Sequence, residues 1–311
     1  MTTTPGGAAP LLTGSAQTMT TWAKVIQSAE AVPEVYRAAC RLLVEGRAEF
    51  PYMVLAPTMG GPRRKAGETE KLLCDVDDTL HIFERAGARV TAMAFPWQAA
   101  RDIEFGNILL YAWLTLSGLT TDGTAAATTI EFNLATARYF APFIRRMRPG
   151  PAAPLTPADE AGLRAEQAKF DDLAAVNYKF MSFACENLVP GETVVQRLWQ
   201  PDLRRRVGAV LGWPIYRTIG LAHLDILTDK ELILIWDDER SAVKAGTRYG
   251  GVWRFIPLRH IVSTSLADTG AGCVTLSTEL TSGGRVDKVF DASSREAVEA
   301  FRRQFDQLIR P

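Results

Sequence analysis

The stretch "EKLLCDVDDTLHIF", residues 70–83, decides the fold, and it admits two readings. In one, an apolar strand delivers Asp75 and Asp77 to a catalytic centre as nucleophile and acid/base. In the other, the acidic pair is the turn of a β-hairpin, chosen because an aspartate side chain caps its own backbone. The residues just downstream favour the hairpin. In "TLHIFE", Leu80 and Ile82 alternate with polar neighbours, the period of a half-buried strand, and Gly87 marks the next turn.

A second stretch, "LDILTDKELILIW" (residues 224–236), lies opposite the first when the two halves of the chain are aligned. Leu232 and Leu234 take the places of Leu80 and Ile82, and Leu227 stands where the nucleophile Asp75 would be. The correspondence extends outward. Ala39, Cys40, Leu43, Val44 and Gly46 recur as Ala184, Cys185, Leu188, Val189 and Gly191, each set ending a helical pattern at a glycine before an apolar strand. "VTAMAFPWQAARDIEFG" matches "VWRFIPLRHIVSTSLAD", pivoting on Phe95-Pro96 and Ile256-Pro257. Two further strand patterns come next in each half, "LLYAWLTLSG" and "AAATTIEFN" around "TTDG", then "GCVTLSTEL" and "RVDKVFDA" around "TSGG". A closing helix carries Phe140 and Ile144 in the first half, Phe301 and Phe305 in the second. Asn133 caps the first of these helices, and Ser293-Ser294-Arg295-Glu296 reads as a capping box for the second. Self-similarity of this length, with elements in one order, points to an internal duplication.

The Pro-rich segment "PGPAAPLTPADEAG" separates the halves, and Thr156-Pro157 with Asp159 and Glu160 is a helix start. The expected organisation is a tail over residues 1–21, a domain over 22–148, a linker over 149–157 and a second domain over 158–311. Additional helices, Trp22–Val44 and Asp159–Leu188, precede the strands of each half.

The hairpin "LDILTDKELILIW" and the adjoining "FIPLRHIVSTSL" resemble the bacterial pleckstrin-homology-like and GRAM-type domains, and "CDVDDTLHIF" with "FPWQAARDIEF" is a weaker form of the same motif. The resemblance implies an α+β fold of two tandem PH-like domains. Each would be a bent antiparallel barrel or sandwich closed by its C-terminal helix, burying Phe140 or Phe301. It also implies a non-enzymatic binding or assembly module. In lipid-binding members of this family the loop between the first two strands holds the cations that grip a phosphorylated headgroup. Here Arg63, Arg64 and Lys65, then Arg204, Arg205 and Arg206, fall in that place. Clustered guanidinium groups match phosphate oxygens in pairs. The charges are contiguous rather than spaced as in the family, and a solvated loop accounts for them better.

The rival reading is also a resemblance. D-x-D-D-T-L is similar to the first motif of the haloacid-dehalogenase phosphatases, which would make Asp75 and Asp77 catalytic with Mg²⁺, and Asp237-Asp238 with Lys179 its later elements. The strand-helix alternation of a parallel sheet is missing downstream, and both acidic pairs sit where hairpin turns belong.

Composition narrows the function classes. The 311 residues are 47% hydrophobic and 23% charged, with 35 basic against 35 acidic side chains, a balance unlike that of a dedicated nucleic-acid binder. Cys40, Cys74, Cys185 and Cys273 form no C-x-x-C, so reduced thiols in a cytoplasm are expected, with neither a zinc site nor a disulfide framework. His81, His223 and His260 have no ligand-spaced neighbours, "TMGGPRRK" lacks the ending of a phosphate-binding P-loop, and no cofactor is implied. Arg145, Arg146 and Arg148 suit the last turn of a helix. No segment has the length of a transmembrane helix; "ILLYAWLTLSGL", from Ile108, reads as a buried strand. The expected partners are a protein segment or an anionic lipid headgroup.

Overall fold

The computed structural model describes residues 21–59, 69–148, 150, 154–210, 213–241, 248–270 and 272–309. They form an α+β fold whose strand pairings are all antiparallel. The first half contributes β1 (Lys24–Ile26), α1 (Glu34–Val44), β2 (Tyr52–Ala56), β3 (Glu70–Val76), β4 (Thr79–Ala86), β5 (Arg89–Pro96), β6 (Ala100–Ile108), β7 (Tyr111–Leu119), β8 (Ala125–Asn133) and α2 (Ala141–Met147). After α3 (Pro157–Gln167) and α4 (Ala174–Asn187) come β9 (Val194–Gln200), β10 (Leu203–Val210), β11 (Trp213–Gly220), β12 (His223–Thr228), β13 (Glu231–Trp236) and β14 (Gly251–Pro257). The chain closes with β15 (Ile261–Gly270), β16 (Cys273–Leu280), β17 (Arg285–Asp291) and α5 (Arg295–Ile309).

The stretch at residues 70–83 is a hairpin. β3 and β4 pair from Glu70 opposite Arg85 to Val76 opposite Thr79. Their turn residues have φ of 50° at Asp77 and 56° at Asp78, the left-handed region that a two-residue hairpin demands and that aspartate tolerates better than most side chains. Turn chemistry is thus a sufficient reason for Asp77 and Asp78, while Asp75 lies on β3 opposite Leu80.

Register and detail recur between the halves. Leu80 faces Phe95 and Thr79 faces Pro96, as Leu232 faces Ile256 and Glu231 faces Pro257. A bulge separates Ala100 from Asp102 on β6 against β7, and another separates Ile261 from Ser263 on β15 against β16. Asn133 Oδ1 accepts from the Ala135 N–H at 3.0 Å, and Asp291 Oδ1 from the Ser293 N–H at 2.9 Å, each opening a 3₁₀ turn before the closing helix.

No barrel closes among the described residues. The sheets run β1-β2-β3-β4-β5, β8-β7-β6-β14-β13-β12-β9, β15-β16-β17 and β10-β11. In the seven-stranded sheet, β6 of the first half pairs with β14 of the second, from Gly251 opposite Asn107 to Phe255 opposite Ile103. Phe105 and Trp253 meet across this seam in a tilted ring pair with centroids 5.6 Å apart, and buried Asp102 holds both Arg254, at 2.9 Å, and Arg101, at 2.9 Å. The free edge that a barrel would close on itself is given instead to the other half.

The cores follow the same logic. One apolar cluster joins Leu73, Phe95, Phe132 and Phe140 of the first half to Phe180, Leu224, Ile233 and Trp253 of the second. A second lies between the opposite face of β12–β14 and β15–β17, plugged by Phe301 and Phe305 of α5. A third seats α1 on β2–β4 through Tyr36 and Cys40. The expectation that each half buries a core of its own therefore needs amending: the largest core belongs to both.

Several sequence expectations change in detail. No helix starts at Trp22, because the β-branched Val25 and Ile26 join β1 and Pro33 sets the start of α1 at Glu34. The segment expected as one helix from Asp159 to Leu188 is interrupted by a 3₁₀ turn, Ala168–Leu173, whose three-residue spacing buries both Phe170 and Leu173. Asp291, not the Ser293 box, provides the cap before α5. The cap at Thr156 holds, reciprocated by Asp159.

The seam supplies a stability test. Gly250 has φ of +77°, and a Cβ placed there would stand 2.0 Å from the carbonyl oxygen of Asn107 on β6. Gly250→Ala is expected to cost at least about 2 kcal/mol, through strain and a clash that the backbone cannot relieve. Urea titration checks this; a midpoint unchanged from the parent chain contradicts it.

Candidate functional site

The acidic turn holds its carboxylates in ion pairs and hydrogen bonds. Trp97 Nε1 donates to Asp75 Oδ1 at 2.8 Å, and Arg146 Nε lies 3.3 Å from the other oxygen. Arg146 also reaches Asp78 at 2.6 Å, and Arg47 grips both oxygens of Asp77, a pairing that holds the Asp77 carboxyl below its ordinary range. Arg146 from α2 thus clasps the turn rather than only matching a helix dipole. Asp75 lies inside an antiparallel pair, facing Tyr52 and Leu80, not at the carboxyl rim of a parallel sheet. The later elements of the phosphatase motif meet each other instead: Lys179 of α4 bonds to Asp237, and Arg240 forks Asp238.

Arg63, Arg64 and Lys65 lie outside the described residues. Arg204, Arg205 and Arg206 do not occupy a loop: they lie on β10, which pairs with β11 in a separate two-stranded sheet. Arg205 stands directly opposite Arg217, and Arg206 opposite Tyr216. Directly facing residues share a sheet face, so Arg205, Arg217, Ile215 and Ile219 lie on one side, and Arg204, Arg206, Tyr216 and Thr218 on the other. From Leu203 to Gly220 the sequence holds four arginines and no acid. Facing cations destabilise a strand pair, and Asp202, just before β10, pairs with Arg204 at 3.4 Å and is shared with Arg248 at 3.9 Å.

The same hairpin exposes apolar surface. Trp213 is 78% accessible, and Val207, Ile215, Tyr216 and Ile219 are exposed with it. Their number, not apolarity alone, makes this informative: single exposed apolar residues are ordinary, whereas five on one short hairpin among four arginines are not. The aromatic residues were the signal that charge counting passed over.

Two of the three histidines lie inside the fold, and His81 on β4 is half-buried. His223 and His260 are buried, and burial holds their imidazoles down to about 3 and about 4. Among the described residues no group of His, Cys, Asp and Glu is gathered to hold a metal ion, and no helix is long and apolar enough to cross a membrane. Cys40, Cys74, Cys185 and Cys273 take part in no disulfide.

No protein-family model and no curated protein matches the chain.

Proposed function

We propose that the chain is a tandem PH/GRAM-like binding module, not an enzyme, and that it grips a phosphate-bearing anionic surface through β10–β11. The carrying observation is the all-basic hairpin with its exposed aromatic residues, and above all the facing pair Arg205 and Arg217. A phosphate between two such guanidinium groups turns their repulsion into charge-assisted hydrogen bonds. Tyr and Trp beside arginine suit the boundary between water and acyl chains, where one end of the ring is wet and the other apolar. The duplication and the PH-like reading rest on the repeated strand registers, the matched bulges on β6 and β15, and the matched caps Asn133 and Asp291. The hairpin also takes the place between the first two strands where the family resemblance puts headgroup recognition.

The test is flotation with vesicles rich in phosphatidylserine, against vesicles of phosphatidylcholine alone. Binding is expected only to the former and is expected to weaken with salt. Changing Arg204, Arg205 and Arg206 together to Ala is expected to weaken it roughly a hundredfold, at about 1 kcal/mol for each cation near the surface. Retained binding by the triple variant, or binding indifferent to salt, overturns the proposal.

A further inference from the structure

At the foot of the hairpin a cavity of 520 Å³ opens between β12, β13 and β17, lined by His223, Trp236, Asp238, Arg240 and Lys288 among others. The Lys288 ammonium lies 4.0 Å from the Trp236 ring centroid. On β17, Lys288 alternates with Val286 and Phe290, both in the second core, so its side chain is directed inward. On β12, Asp225 sits between His223 and Leu227, and Leu227 is in that same core. A lysine and an aspartate are therefore both directed into a sandwich whose core is mainly apolar.

Two observations mark this place as unusual. Asp225 is 1% exposed and its Oδ1 has no hydrogen-bond partner; the His223 Nε2 is unpartnered as well, while its Nδ1 faces the Leu221 carbonyl at 3.1 Å. Unpaired polar atoms at this depth are costly. Moreover, matched registers set Asp225 against Leu73 of the first half and Lys288 against Ile130, both buried apolar residues. At this place the fold is packed satisfactorily with two aliphatic side chains. The aspartate and the lysine replace that aliphatic packing in the second half.

We infer that this cavity is a binding site for a small carbonyl compound, an aldehyde or ketone, held as a reversible imine on the Lys288 Nζ. The amine adds its lone pair to the carbonyl carbon, the carbonyl oxygen takes up protons, and the carbinolamine expels that oxygen with both amine hydrogens as one water. No oxidant or reductant enters. Burial lowers the Lys288 ammonium to about 8, against the opposing pull of Asp225, so free amine is present near neutrality; Arg254 lowers it further and Glu104 raises it. A desolvated lysine of this kind is the usual amine nucleophile for carbonyl compounds. Burial also raises the Asp225 carboxyl, which favours its neutral, protonated form beside the amine's strand. The neutral His223 Nε2 accepts a hydrogen bond.

The experiment is incubation of the whole chain with propanal, trapping with cyanoborohydride, and peptide mapping of the modified lysines. At neutral pH, Lys288 is expected to be labelled about tenfold or more ahead of the exposed Lys24 and Lys169, because more of it is uncharged. Its labelling is expected to level off above about pH 8. The double variant Asp225→Leu with Lys288→Ile carries the aliphatic packing of the first half and is expected to fold with that label lost. Labelling of Lys288 no faster than Lys24, or a pH profile like that of an exposed lysine, overturns the inference. Vesicle binding is read separately, so failure here leaves the hairpin proposal standing.

Discussion

Arg148→Ala is expected to lower the unfolding free energy by about 3–5 kcal/mol, the cost of removing one partner from a buried charge network. Arg148 comes directly after α2 and reaches into the second half. Its Nη2 lies 2.5 Å from Glu231 Oε1 and 2.5 Å from the Asn187 carbonyl, and its guanidinium stacks 3.9 Å from the Phe255 centroid. Glu192 Oε2 is 3.9 Å away, and both glutamate side chains are buried completely. Truncation strands Glu231 without a cation and removes a contact to β14 as well. The loss comes from the orphaned carboxylate rather than from any large net attraction, since desolvation offsets much of a buried ion pair. A second variant separates the two: Arg148→Met with Glu231→Leu is expected to recover most of the stability. Urea melts of both variants check this. Equal destabilisation by the single and double changes would show that the arginine acts through packing alone.

Hairpins were legible in the sequence because their information is local. The alternation in "TLHIFE" and "LILIW", the Asp-Asp and Asp-Lys turns and the glycine punctuation each act over a few residues, and all gave strands in the expected order. The joining of the halves was not legible. Nothing in Phe105, Asp102, Trp253 or Arg254 read singly announces that they meet, because the β6–β14 pairing bridges nearly half the chain and is selected by packing. The arginines of β10 were visible as charge but were placed in a loop. Contiguous cations break the apolar alternation that marks a strand, and a hairpin exposed on both faces has no buried face to leave a pattern. Lys288 was invisible for the opposite reason: a lysine in a strand pattern reads as outward-facing, and only the alternation of Val286 and Phe290 around it turns it inward.

The same buried cluster makes stability depend on pH in a direction opposite to that of most carboxylates. Burial, reinforced by the neighbouring Glu231, raises the Glu192 carboxyl from its ordinary range to about 8, and the Arg148 charge only partly restrains the rise. Thr228 Oγ1 donates to one of its oxygens at 3.0 Å and the Val189 N–H to the other at 3.1 Å. The unfolded chain releases this proton near an ordinary glutamate value, whereas the folded chain retains it until about pH 8. Between those limits the folded state binds more protons, so the contribution is greatest in acid and is lost as pH rises, by at most about 1.4 kcal/mol for each pH step of one. Above the folded value no further loss arises from this group. Glu192→Gln keeps the shape and a hydrogen-bonding amide but cannot ionise. The variant is therefore expected to gain on the parent chain steadily from pH 5 to pH 8 and to be the more stable of the two at the alkaline end, by a few kcal/mol. Subtracting its melting curves from those of the parent cancels the other titrating groups, Asp225 among them. A constant difference across that range would mean that Glu192 folds in already ionised, with Arg148 neutralising both carboxylates. The loss on changing Arg148 to Ala would then have to be larger than the range given above, because two buried charges rather than one would lose their counterion.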